Sequence, residues 1–415
     1  MQILIPISFF VVSATSFLPY NLFMNAHEYF YFKLHNTSIF NGTDFKPIAE
    51  ETVLQRKFEG YLSLFGGVAC IIGAAVNLLL TTHFRVYAGH ALVLLSLIPT
   101  IFYTYTDTDD YQQDFFNISL ILASLASFGS IGLIGGGIMG LVSGFPSHNL
   151  KAVLFGQSAA GICATVLSIV CQITTSDLIW NGRIYFLIAT CWTLMSILFY
   201  RYVSIKSKTP YDSDSDSEDD TNALIRSDSD PDLNAVRTVS DKDLYMRTLS
   251  KSKYSLACLM LTLTITLSAF PGVASLVKSV SHSEAWIGYF SSICCFLAFN
   301  VGDGCGRALS GMKKMGTKWL TIFCLLRCVF IPLIIICNIH PRYHTPTLLP
   351  YDGVFLLVIL LFGITHGHTF SIAVDNITGS VDPECGEVSG SIINLASVLS
   401  AFIGSFIGIG LVTLL

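Results

Sequence analysis

Asp303 and Arg307 stand four residues apart in the stretch Phe299-Asn300-Val301-Gly302-Asp303-Gly304-Cys305-Gly306-Arg307, inside a segment apolar enough to span a lipid bilayer. A charged side chain at mid-membrane costs roughly 2.5–3.5 kcal/mol on insertion scales, so such groups face a bundle interior or an aqueous cavity. An acid followed by a base four residues later shares one helix face with it and can pair. Asn300 lies one turn earlier on a neighbouring part of that face. An amide, an acid and a base kept together at depth have the chemistry to hold a polar solute. An intramembrane enzyme using Asp303 with a histidine is the competing class. The arginine on the same helix favours a held ion pair over a titrating catalyst. No paired-acid or nucleophile motif accompanies it, so no enzyme is expected.

Four further stations carry polar or conformational signals. Phe17-Leu18-Pro19-Tyr20-Asn21-Leu22-Phe23-Met24 puts a helix-kinking proline beside an aromatic face and an amide. Either a pocket edge or an ordinary kinked helix fits it. Gly156-Gln157-Ser158-Ala159-Ala160-Gly161 sets a double-function amide among small residues, suited to an interhelical hydrogen bond or to a solute. Phe270-Pro271 predicts a second kink in the later half of the chain, and interrupted segments in both halves often mark a transporter site. His366-Gly367-His368 places two imidazoles two apart, on different helix faces, which argues against joint metal ligation. Their ordinary titration range near 6.5 makes pH sensing a second expectation. Gly132, Gly136 and Gly140 have the spacing of close helix packing. No Lys-Ser/Thr follows them, so they do not read as a phosphate-cradling loop.

These stations need helices to position them. The 415 residues are 52% hydrophobic and only 12% charged, about half the charge of a soluble domain. An all-α polytopic membrane protein follows. Eleven crossings are expected, at about 2–24, 58–81, 87–105, 116–142, 150–172, 180–203, 254–277, 285–309, 317–339, 352–374 and 388–414. The first lacks a positive n-region and a small-x-small cleavage site, so it reads as a retained helix rather than a signal peptide. The 12 cysteines are scattered through apolar segments with no CxxC spacing. They read as small packing residues, with no metal site, cofactor or structural disulfide expected. The net charge of −5 comes largely from one loop and implies no nucleic-acid partner.

Two long polar stretches divide the pattern. The first, about 31–57, carries the sequons Asn36-Thr37-Ser38 and Asn41-Gly42-Thr43, so Asn36 and Asn41 are expected to be glycosylated on the outer side. The second, 205–252, holds Asp212-Ser213-Asp214-Ser215-Asp216-Ser217-Glu218-Asp219-Asp220 and is expected to be disordered, cytosolic and open to an acid-directed kinase. Five crossings separate the two loops, which places them on opposite sides. Lys206, Lys208, Lys251, Lys253, Lys313, Lys314, Lys318 and Arg85 fall on the cytosolic side, as the positive-inside rule asks. Lys33, Lys46, Arg56 and Lys57 fall in the first loop, where Asp44, Glu50 and Glu51 blunt their bias. The chain thus divides into a six-helix half, 1–204, the cytosolic loop 205–252, and a five-helix half, 253–415. Asn376 would face the cytosol and stay unglycosylated.

Taken together, the stations resemble the equilibrative nucleoside transporter family over nearly the whole chain. Leu18-Pro19-Tyr20-Asn21-Leu22-Phe23-Met24 is similar to its Leu-Pro-Trp-Asn-Phe-Phe-Met/Ile motif, and Gly156-Gln157-Ser158-Ala159-Ala160-Gly161 to its Gly-Gln-Gly-Leu-Ala-Gly. Phe299-Asn300 through Asp303 to Gly306-Arg307 fits F-N-x-x-D-x-x-G-R, and Arg327 through Pro332 to Cys337-Asn338 and Pro341-Arg342 fits R-x-x-x-x-P…C-N-x-x-P-R. The resemblance implies a major-facilitator-like 6+5 bundle with a pocket between the halves and access alternating by rocking. It implies sodium-independent facilitated diffusion of nucleosides such as adenosine and uridine, without ATP. It assigns Tyr20, Gln157, Asp303 and Arg307 to the nucleoside site, with Asn300, Asn21, Met24 and Phe17 near it. In those roles Gln157 bonds a base edge, Asp303 and Arg307 hold ribose hydroxyls or base atoms, and Tyr20 packs on a ring. The departures are Tyr20 for the usual Trp, Ser158 for Gly, and Thr365-His366-Gly367-His368-Thr369 where Ser-Asn-Gly-Tyr-Leu is frequent. They open substrate range and pH dependence. A proton-linked nucleoside or nucleobase carrier of an acidic organelle is the alternative.

The address has two readings. Asp220-Thr221-Asn222-Ala223-Leu224-Ile225 fits an acidic dileucine signal read by sorting adaptors of endosomes and lysosomes. Glu28-Tyr29-Phe30 through Lys33-Leu34 resembles the family's intracellular branch. The plasma membrane is the family's commonest location and is the expectation, with the lysosomal or endosomal membrane as the alternative.

Overall fold

The computed structural model describes residues 3–35, 52–208, 233–311, 315–340, 342 and 346–414. The sequons at Asn36 and Asn41, the acidic serine run and the dileucine pattern lie outside the described residues. Among the described residues, eleven helices are long and apolar enough to cross a membrane. They are α1 (Leu4–Asn25), α2 (Val53–Asn77), α3 (Thr82–Tyr103), α4 (Asp109–Val142), α5 (Ser147–Thr174), α6 (Leu178–Ser207), α7 (Asp243–Leu276), α8 (Glu284–Ser310), α9 (Thr317–Ile335), α10 (Asp352–Ser380) and α11 (Pro383–Thr413). At about 1.5 Å of rise per residue each covers most of a ~30 Å hydrocarbon core or more. The expected crossings fall one to one on these helices, with ends displaced by several residues.

Four of the crossing helices, α1, α4, α7 and α8, depart locally from regular helix. In α1 the helix breaks after Thr15 and restarts at Leu18, with Pro19 in the first turn of the new segment. Proline fits there because the first-turn N–H groups have no intrahelical acceptor. In α7 regular helix ends at Ala269, just before the cis Phe270-Pro271 bond. Pro271 therefore terminates the helix where the sequence suggested a kink. Wide, π-type turns occupy Phe128–Gly135 in α4 and Ser291–Leu297 in α8. Helical backbone also runs upstream of α7 from Leu233. It thus covers the later part of the stretch expected to carry no fold. Pro231 ends the acidic serine run just before it, and the sequence beyond mixes apolar residues such as Leu233, Val236, Leu244 and Leu249 with Arg237, Lys242 and Arg247.

Packing rests on glycine at the closest crossings. A Cβ at Gly132 would lie 2.7 Å from Gly73 Cα, and one at Gly129 would meet Leu92 Cβ at 3.1 Å. The small residues of α4 are thus a contact surface for α2 and α3, as their spacing indicated. Gly302 and Gly306 of α8 likewise lie against the backbone of α10, and Gly363 of α10 lies against the backbone at Phe299. That tight crossing fixes where Asp303 sits. α5 against α8, and α2 and α4 against α11, form the two seams between the six-helix and five-helix halves.

Candidate functional site

Asp303 and Arg307 both lie on the buried face of α8. Arg307 Nε donates to the two carboxylate oxygens of Asp303 at 3.1 and 3.0 Å. Its Nη1 reaches across to α5, donating to the Leu154 carbonyl at 3.0 Å and to Gln157 Oε1 at 3.3 Å. The ring of Phe370 covers the guanidinium at 4.9 Å. The two charged side chains are 7% and 8% exposed, so the pair is desolvated and screened little by salt. The structure therefore brings Gln157, Asp303 and Arg307 together, and it does so across the seam between halves.

A polar chain continues on the far side of Asp303. His366 Nε2 stands 3.9 Å from Asp303 Oδ1, and His366 Nδ1 is 3.0 Å from Thr266 Oγ1. Arg327 donates from Nη2 to that same hydroxyl at 2.7 Å and from Nη1 to the Thr262 carbonyl at 2.9 Å. Its Nε donates to Thr365 Oγ1 at 3.3 Å, and the Phe362 ring lies 5.1 Å from the guanidinium. Arg327 is 1% exposed. Two guanidinium groups and one carboxylate thus share this interior, and the surplus positive charge is spread over carbonyl, hydroxyl and aromatic acceptors. His368 is not part of this chain of bonds: its imidazole bonds the backbone of Gly306 on α8, and the Phe323 ring lies 6.5 Å away.

The remaining residues expected at the site are distributed around it. Asn300 donates to Thr165 Oγ1 at 3.0 Å, again across the α5–α8 seam. Met24 lines a cavity between the halves. Tyr20 and Phe17 pack on the other seam, against Cys70, Ala74, Ile131 and Val398 of α2, α4 and α11. This places them on a different seam from the Asp303–Arg307–Gln157 group. Asn21 is half-buried on α1.

The cavity, about 170 Å³, sits at the end of the bundle where α1 and α5 finish. Thr165, Ser168 and Gln172 of α5 face Ser292 and Phe296 of α8 across it, and Glu28 and Glu59 lie at its rim. His27, in the short helix His27–Lys33 after α1, bonds Glu59 at 2.7 Å. The opposite end is shut. There Arg85 of α3 donates to Glu387 of α11 at 2.9 Å, to Ser391 Oγ at 3.0 Å, to the Asn77 carbonyl at 2.9 Å and to Thr82 Oγ1 at 2.7 Å. Thr82 also bonds Glu387. Asn394 of α11 donates to the Ile131 and Gly132 carbonyls, each at 3.2 Å.

Arg327 carried the same signal as Asp303, a charge inside an apolar segment, and belongs with the site on that ground. The Arg85–Glu387 lock had no signal in the chain. Its partners are 302 residues apart, and Arg85 reads from sequence as an ordinary positive flank.

Comparison with known proteins agrees with this architecture. By fold, the chain resembles the proton:xylose symporter XylE of the major facilitator superfamily bound to 6-bromo-6-deoxy-D-glucose, with a TM-score of 0.59 at 13% identity over 97% of this chain and 87% of that one. It also resembles FucP of the same superfamily in the outward conformation, with a TM-score of 0.56 at 12% identity over 98% and 92%. These likenesses establish a major-facilitator-like bundle. In sequence, human equilibrative nucleoside transporter 1 is 25% identical over 96% of this chain and 94% of that protein. Rat equilibrative nucleoside transporter 3 is 25% identical over 96% and 86%. The family described as Nucleoside transporter matches residues 119–412. With that match spanning both halves and the Asp303–Arg307–Gln157 group that bridges them, this multi-pass membrane protein belongs to the nucleoside transporter family.

Proposed function

We propose that the chain carries purine and pyrimidine nucleosides, adenosine and uridine among them, by sodium-independent facilitated diffusion with alternating access. The observation that carries this reading is the bridge from Arg307 of α8 to Gln157 and the Leu154 carbonyl of α5. A nucleoside is neutral but rich in donors and acceptors. It can replace the bridge's bonds with its own hydroxyls and base edge, so binding and the relative position of the halves are coupled. With the cavity on one side and the Arg85–Glu387 lock on the other, this arrangement is the state that admits solute from the α1–α2 side. On the topology argued from the sequons and the acidic loop, that side is external.

The test is uptake of radiolabelled adenosine and uridine into proteoliposomes, with and without a sodium gradient. Sodium-independent uptake is expected, and Asp303→Ala or Arg307→Ala abolishes it at matched amounts of inserted protein. Normal uptake by both variants would remove the site assignment.

The contact between His366 and Asp303 supports a second reading, proton-linked transport. Uptake that stays flat between pH 5 and 8 excludes it. For the address, the reading favoured is the plasma membrane, with the Leu224-Ile225 signal as the route to endosomes and lysosomes. If that signal acts, Leu224→Ala with Ile225→Ala moves the protein to the cell surface, and imaging of the tagged chain decides. The acidic serines between the halves remain the candidate kinase target, and the adaptor the candidate partner there.

A further inference from the structure

Along the α5–α8 seam the two halves are joined by polar rungs. Ser292 donates to Gln172 Oε1 at 3.3 Å, Asn300 to Thr165 Oγ1 at 3.0 Å, and Arg307 to Gln157 Oε1 at 3.3 Å. The helices run antiparallel, so rising numbers on one meet falling numbers on the other. Between the second and third rungs stands Ser158, on the same face of α5 as Thr165 and Gln172. It is 4% exposed, and its hydroxyl has no hydrogen-bond partner among the described residues.

Two features leave that hydroxyl open. A helical Ser or Thr usually bonds the carbonyl four residues back, as Thr165 does to Gly161 at 2.9 Å. For Ser158 that carbonyl belongs to Leu154, and Arg307 is already bonded to it. Across the seam the facing residue is Gly304, which has no side chain to offer. A Cβ built there would lie 3.3 Å from Ser158 Oγ and 3.5 Å from Ile162 Cδ1. Opposite Ser158 the ladder therefore lacks a rung, at a close approach of the two helices beside Asp303 and three residues before Arg307. A buried hydroxyl left unpaired carries a desolvation cost that a ligand group can relieve.

We propose that Ser158 is a substrate-contacting, specificity-determining residue, and that its hydroxyl bonds a ribose hydroxyl of the nucleoside when the substrate replaces the Arg307–Gln157 bond and enters the seam, Arg307 still holding the Leu154 carbonyl. The assignment rests on the nucleoside reading above. It deepens that reading, because it assigns one side chain to one group of the sugar. Gly304 serves it by offering no side chain that would pair with or crowd the hydroxyl.

The test pairs a deletion on the protein with a deletion on the substrate. Concentration-dependent uptake of uridine, 2′-deoxyuridine and 3′-deoxyuridine is measured for the parent, Ser158→Ala and Gly304→Ser. The parent is expected to favour uridine over one of the deoxynucleosides by roughly five- to tenfold, the factor one hydrogen bond carries. Ser158→Ala brings that ratio close to one by losing uridine affinity alone. Gly304→Ser puts a hydroxyl opposite Ser158, closes the rung and lowers uptake of all three. The assignment is overturned if Ser158→Ala weakens all three substrates by the same factor, or changes none, while the parent transports uridine. A parent that moves no uridine at all overturns the nucleoside reading, and the assignment falls with it.

Discussion

At the residue scale, the interior charges of the five-helix half act as one group. Asp303 is bonded to Arg307 and faces His366, which links through Thr266 to Arg327. Removing the carboxylate leaves two guanidinium groups in a desolvated space, and breaking a buried pair this way typically costs ~3–5 kcal/mol. Loss of uptake by Asp303→Ala must therefore be read beside a stability measurement. Arg327→Lys keeps the charge but not the fork that reaches Thr262, Thr266 and Thr365 together. It is expected to destabilise by about 1–3 kcal/mol, read as an earlier thermal unfolding transition of the solubilised protein. The Asp303–Arg307 pair was legible because charge in an apolar segment is expensive and an i,i+4 spacing fixes the partner. His366 and His368 were separable for the same geometric reason. The solitude of Ser158 was not legible, since it depends on which donor takes the Leu154 carbonyl and on a glycine in another helix.

At the scale of elements, glycine and the end locks decide what can move. Gly132 of α4 has no room for a side chain against Gly73, so Gly132→Val should prevent normal folding and lower the amount of monodisperse protein recovered. Gly353, at the start of α10, has nothing within 4 Å of a built Cβ. Gly353→Ala should be tolerated, within about 0.5 kcal/mol. The lock at the closed end is unequal: the Arg85 side chain is 2% exposed and Glu387 is 55% exposed. Glu387→Gln therefore loses little, about 0.2–1 kcal/mol. Arg85→Ala removes four bonds from a buried position and should shift the bundle toward opening at that end. Faster labelling of a cysteine placed at Ser391 in the Arg85 variant than in the parent would show this; equal rates would exclude it. Helix number and order were readable from hydropathy alone. The end of α7 before Pro271 and the wide turns in α4 and α8 were not, because they depend on backbone hydrogen bonding rather than on apolar periodicity.

At the scale of the molecule, the two seams differ. The α2/α4–α11 seam is held at the closed end by Arg85, Glu387 and Asn394, while the α5–α8 seam is bonded from the cavity mouth to Arg307. The proposed orientation, with the 31–57 loop outside, is tested at the sequons: Asn36→Gln with Asn41→Gln should abolish the mobility shift on deglycosylation, whereas Asn376→Gln should leave it unchanged. Asn376 already donates to the Met315 carbonyl. The rungs of the α5–α8 seam fall at 292, 300 and 307 on one helix and at 172, 165 and 157 on the other, about two turns apart. Two combs meshed at that pitch can swivel about their common line with the outer teeth, Ser292–Gln172 and Asn300–Thr165, engaged while substrate opens the Arg307 tooth. They cannot slide lengthwise by a fraction of the pitch without disengaging all teeth together. Hinge-like motion of the halves is therefore expected, with probe distances at the Ser292–Gln172 and Asn300–Thr165 rungs changing less than those between α1 and α7; equal changes at both places would point to a piston-like slide instead.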